Sequence, residues 1–155
     1  MSEITSIYDA LEAKSVTTTG GDTPTVLDLD ELKNSITTSD LPCRLLLPVG
    51  DDTRGDGRDG VFIAIGSTMV INWMLNDLML WQPLGQGEGL REYAPELVDY
   101  CGKYLDAMRT LKCPTSNSSL ESVYMSPGIY EWPRGSGVFY AGVLCQLTIK
   151  EVLSG

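Results

Sequence analysis

The densest set of groups able to do chemistry is Gly50-Asp51-Asp52-Thr53-Arg54-Gly55-Asp56-Gly57-Arg58-Asp59-Gly60, eleven residues with four aspartates and no apolar side chain. A calcium loop needs oxygen ligands at alternating positions; counting from Asp52, the third position is Arg54, which breaks the frame. Arg54-Gly55-Asp56 also spells an adhesion triplet, one that arises easily by chance where Gly and Asp dominate. The plainer reading is an exposed hairpin loop that keeps its surroundings negative. The second Gly-rich stretch, LGQGEG from Leu84 to Gly89, opens a helix as a phosphate-binding loop would. It lacks the Lys-Ser/Thr ending and the full dinucleotide spacing, and Glu88 faces any incoming phosphate, so it reads as a strand-to-helix connection.

The remaining reactive groups do not assemble into a mechanism. Histidine is absent, which removes the commonest general base, the Ser–His and Cys–His pairs and the usual zinc ligand together. Cys43, Cys101, Cys113 and Cys145 are scattered without a CxxC pair and read as free thiols packed as small hydrophobes. Paired carboxylates would be the only acid–base machinery left, and no pair is fixed by spacing on one element. The sequence therefore predicts no enzyme, no cofactor and no metal site.

The elements that must carry these loops centre on Thr68 to Trp81, TMVINWMLNDLMLW, fourteen residues without Gly or Pro. Alternation places Met69, Ile71, Trp73, Leu75, Asp77, Met79 and Trp81 on one face, and Thr68, Val70, Asn72, Met74, Asn76, Leu78 and Leu80 on the other. Both faces are largely apolar, so the strand belongs in the middle of a sheet covered on both sides. At about 3.3 Å per residue it spans roughly 45 Å, so it must bend or project past its own sheet. VFIAIG before it begins an apolar strand, with Gly66-Ser67 as a bulge or bend.

Leu90 to Lys112 is the strongest helix: Leu90, Tyr93, Leu97, Cys101, Tyr104, Leu105 and Met108 recur at three- and four-residue steps. Pro95 fits its first turn, and Pro114 stops it. Val138 to Leu153 alternates cleanly, with Phe139, Ala141, Val143, Cys145, Leu147, Ile149, Glu151 and Leu153 on one face. Two β-rich pieces flank Pro127-Gly128, and Ser2 is a candidate N-cap for a short helix bearing Ile4, Ile7, Tyr8 and Leu11. Leu41 to Pro48 is a short apolar strand bounded by prolines, while Ser15 to Thr25 reads as an edge strand turning at Gly20-Gly21. The expected fold is one α+β domain over residues 1–155, a mostly antiparallel sheet with one long amphipathic helix and a short N-terminal helix packed on one side.

Composition narrows the function classes. The net charge is −10, with −7 in residues 1–60, which argues against gripping nucleic acid through phosphates. No apolar run reaches the roughly 20 residues of a membrane span, and the start has no basic region followed by a hydrophobic one, so cytoplasmic synthesis without membrane association is expected.

The order of elements resembles a family. A short N-terminal helix, the strand Asp40-Leu41-Pro42-Cys43-Arg44-Leu45-Leu46-Leu47, an acidic loop, a long hydrophobic strand, one amphipathic helix and the strand Tyr140-Ala141-Gly142-Val143-Leu144-Cys145-Gln146-Leu147-Thr148-Ile149 together look like the tail terminator and neck proteins of long-tailed bacteriophages. Val16 to Ser39 is longer and more polar than that pattern. The resemblance implies a virion protein: a ring, commonly of six subunits, that caps the tail tube, binds tube and neck or connector proteins and lets DNA pass through its lumen without specific binding. Asp51, Asp52, Asp56 and Asp59 are then lumen candidates, since they repel phosphate, and Trp73, Trp81, Trp132 and Arg134 are candidates for subunit contacts. Two alternatives remain: another phage head-completion or tail tube protein, or a small-ligand module using Gly85 to Gly89.

Overall fold

The computed structural model describes residues 3–27, 36–47, 60–64, 66, 68–85 and 89–154. Helix α1 (Ile4–Glu12) is followed by strand β1 (Thr25–Leu27), a 3-10 turn (Thr38–Asp40), β2 (Cys43–Leu46), β3 (Gly60–Ala64), β4 (Thr68–Leu84), α2 (Ala94–Thr110), β5 (Ser118–Glu131) and β6 (Phe139–Ser154). The six strands form one sheet in the order β1-β2-β4-β6-β5, with β3 also pairing β4. Among the described residues only β1 and β2 run parallel and the other pairings are antiparallel, so the fold is α+β with a mostly antiparallel sheet.

The long apolar stretch is central, as its two-sided hydrophobicity requires. β4 runs against β6 from Thr68↔Ser154 to Leu84↔Phe139, with one irregularity between Leu80 and Gln82. Odd-numbered Leu75, Met79 and Trp81 join Ala141, Val143, Cys145, Leu147 and Ile149 of β6 under both helices, where Ile7 and Leu11 of α1 and Leu97, Tyr100, Tyr104 and Met108 of α2 complete the main core. Even-numbered Leu78 and Leu80 join Cys43, Leu45, Leu47, Tyr140 and Leu144 in a second core on the opposite face. Ile36 and Leu41 pack onto that second core beside Trp132. Tyr140 and Leu144, on the face of β6 opposite Ala141 to Ile149, are buried in this second layer.

Four sequence expectations are corrected. The acidic loop does not close a hairpin: β2 pairs with Leu80 to Asp77 of β4, the Leu47 N–H donates to the Asn76 carbonyl at 2.8 Å, and β3 resumes opposite Met74. β2 and β3 thus lie end to end along the same side of β4, and the reversal falls between Ala64 and Thr68, where a bend at Gly66 stood in the sequence reading. Residues 15–24 form no strand; they turn at Gly20-Gly21, with Gly21 at a φ of 91°, and the short strand follows at Thr25. The N-cap of α1 is Glu3 rather than Ser2, which lies outside the described residues. The β-rich pieces around Pro127-Gly128 are one strand, β5, paired with β6 on both sides of the proline and lying at the sheet edge, where a strand tolerates proline.

Candidate functional site

Two clusters of buried charge hold the helices to the sheet. Arg44 of β2 is 1 % exposed and Asp77 of β4 is fully buried. Their closest contact is 2.6 Å, Nη2 to Oδ2, with a longer Nε to Oδ1 contact at 3.4 Å. The Tyr104 hydroxyl of α2 donates to the same Oδ2 at 2.8 Å, and the guanidinium stands 5.8 Å from the Tyr104 ring centre. Arg44 also donates to the carbonyls of Leu11 and Lys14, so a cation sits at the C-terminal end of α1 where the helix dipole favours it. At the other end of α1 the fully buried Glu151 carboxylate accepts the Glu3 backbone N–H at 2.6 Å and the Trp73 indole N–H at 2.7 Å. One sheet-borne charge of suitable sign therefore clamps each end of a nine-residue helix too short to stand alone.

These clusters are sealed. Burial pushes Arg44 toward the neutral form, and the Asp77 charge more than offsets it, so the guanidinium stays charged. Burial, followed by the Asp77 charge, lifts the Tyr100 and Tyr104 hydroxyls well above their ordinary range. The Tyr100 hydroxyl is buried without a hydrogen-bond partner among the described residues. Burial likewise raises the Cys145 thiol, and burial with the nearby Asp40 charge pushes Cys43 up to about 12. At 0–1 % exposure the Asp77 carboxylate, the Arg44 guanidinium and the Tyr104 phenol join helix to sheet.

What faces water is a set of surfaces. A groove of about 260 Å³ runs between α2 and β5, floored by Leu105, Met108, Leu120 and Val123 and rimmed by Arg109 and Lys112. A wider cleft of about 690 Å³ opens at the other end of α2, bounded by the 18–22 turn, Trp81, Gln82 and Tyr93 and bearing Asp22, Glu92, Glu96 and Asp99. Asp99 is engaged there: its carboxylate accepts the Thr19 N–H at 2.8 Å and the Thr19 hydroxyl at 2.6 Å, bonds that hold its pKa below the usual carboxylate value. The third surface is the far end of the β4–β6 ribbon. Leu78 and Leu80 are buried under the second core, whereas Val70 and Met74 on the same face and Val152 beside them are only half-buried, and Met69 is 39 % exposed.

The contact candidates from sequence separate on this frame. Trp81, at 8 % exposure, packs into the main core and shows only an edge to the cleft beside α2. Trp73 is half-buried, eight residues along the same face of β4, with its N–H bound to Glu151. Trp132 is half-buried against the second core, with its indole N–H enclosed. Arg134 is exposed in the β5–β6 turn, where Gly135 and Gly137 adopt φ of 82° and 76° and donate to the Glu131 carboxylate. The structure does not bring these four together. Asp51, Asp52, Asp56 and Asp59 lie outside the described residues.

The buried clusters escaped the sequence reading although a signal existed. Arg44 is the lone charge in β2 and Asp77 the lone charge in β4, and a charge inside an apolar strand demands an opposite one nearby. Among the described residues no group of three His, Cys, Asp or Glu converges on a metal site, and no helix is long and apolar enough to cross a membrane. No family model, curated protein or solved structure matches this chain.

Proposed function

We propose that this chain is a structural subunit of a closed ring that terminates a phage tail tube and joins it to the head, with DNA passing through an acidic lumen. The observation that carries the reading is the sheet itself. Along a ribbon of 17- and 16-residue strands, Met69, Val70, Met74 and Val152 are half-buried or exposed at one end, beyond the cover that the described helices supply. A 14-residue edge strand, β5, shows Tyr124 and Ile129 to solvent at 54 % and 48 %. Apolar surface of this kind gains free energy when neighbouring subunits cover it. The element order along the chain further supports the resemblance, and the −10 charge suits a channel wall that must let DNA slide without holding it.

The lumen role is tested by Asp56→Lys together with Asp59→Lys in the assembling particle. The reading predicts a folded protein whose particles form in lower yield or fail to eject DNA, because added cations in the lumen hold phosphate. Normal particle yield and normal DNA ejection would remove these aspartates from the lumen.

A further inference from the structure

The two ends of α2 carry opposite charge, and the end that is basic borders an apolar groove. Arg109 and Lys112 rim that groove, and the Lys14 ammonium lies close by, donating to the Thr110 hydroxyl at 2.6 Å. Three cations so near one another are notable in a chain with 11 bases against 21 acids. Asp106, 4.0 Å from Arg109, and Glu121 on the groove wall temper the charge without reversing it. At the opposite end of the helix Asp22, Glu92 and Glu96 are exposed, Asp99 is held by Thr19, and Arg91 is the single opposing cation on the segment that enters the helix. The 17 residues of α2 set these poles about 25 Å apart, several screening lengths in physiological salt, so within one molecule they do not neutralise each other.

We propose that neighbouring copies of this chain meet head to tail, the groove between α2 and β5 with Arg109 and Lys112 receiving the Glu92 and Glu96 end of α2 from the next copy. The proposal rests on the ring reading and names its contact. The two patches differ, so the contact is heterologous; each copy offers one of each, which is what a closed ring requires and a two-fold dimer does not. Charge complementarity selects the occupant, and Leu105, Met108, Leu120 and Val123 supply the apolar area that the contact removes from water.

The same charges also suit the dipole of their own helix, so a loss of assembly in one variant would not by itself separate contact from stability. Complementary reversal does. Glu92→Lys with Glu96→Lys makes both poles of a copy basic, and Arg109→Glu with Lys112→Glu makes both acidic. Each double variant alone should need ~100-fold or more higher concentration to assemble than the native chain, because like charges then face each other. An equimolar mixture should recover rings of alternating copies. Rings from either variant alone at native concentrations, or a mixture that stays unassembled while circular dichroism shows both variants folded, would overturn the contact and leave the ring reading standing. A native chain that never assembles, alone or with tail tubes, would overturn the ring reading and this contact with it.

Discussion

Arg44 and Asp77 decide how the helices sit on the sheet, and their energetics are those of a buried pair rather than a surface bridge. Removing one partner strands the other charge at 0–1 % exposure. Asp77→Asn should therefore destabilise the protein by about 3–5 kcal/mol, and Arg44→Met by a similar amount, since it also orphans the Leu11 and Lys14 carbonyls. Exchanging both, Arg44→Met with Asp77→Asn, should lose less than the sum of the two single changes, because no uncompensated charge is left behind. Urea unfolding of the three variants reads this cycle, and strictly additive losses would contradict the coupling. At this scale the sequence was partly legible. The alternation predicts the main-core face of β4 at Leu75, Met79 and Trp81 and of β6 from Ala141 to Ile149, whereas Tyr140 and Leu144 on the other face of β6 are buried in a second core that the alternation does not reveal. The partners of Asp77 and Glu151 were not found, because Arg44 is 33 positions from Asp77 and Glu3 is 148 from Glu151, separations that no local pattern spans.

At the scale of elements the close pairing of β4 with β6 depends on one glycine. A Cβ on Gly142 would lie 2.3 Å from the Met79 carbonyl oxygen, a backbone atom that cannot swing aside. Gly142→Ala should force the two central strands apart and lower the melting temperature sharply. Gly102, in the exposed middle of α2, has nothing within 4 Å of the same atom, so Gly102→Ala should stabilise by about 0.5–1 kcal/mol. Thermal unfolding of the two variants should move in opposite directions; equal shifts would contradict this assignment of close approach. α2 itself was legible because a 3.6-residue stripe and the bounding prolines are local signals, and the observed helix lies within the expected span. The junction of β2 and β3 was not, because two strands laid end to end against one neighbour leave no local trace that separates them from a hairpin.

For the whole molecule, the α+β class and the one-sided packing of the helices follow from how apolar faces are distributed among strands and helices, and both could be read from the chain. Which surfaces remain for partners could not. Trp81 and Trp132 attract attention by residue type, yet burial depends on the second core and on the helices above β4, contacts that exist only after folding. The surfaces that remain are the ribbon end near Met69, the outer side of β5 and the charged ends of α2. The proposed ring unites them, and the most direct test is the mass of the purified protein in solution, with negative-stain images of the same fractions, alone and with tail tubes added. Closed rings of uniform size, dissociating as salt is raised, are the predicted result. A strict monomer of 16.9 kDa that associates with neither tubes nor heads would contradict the account.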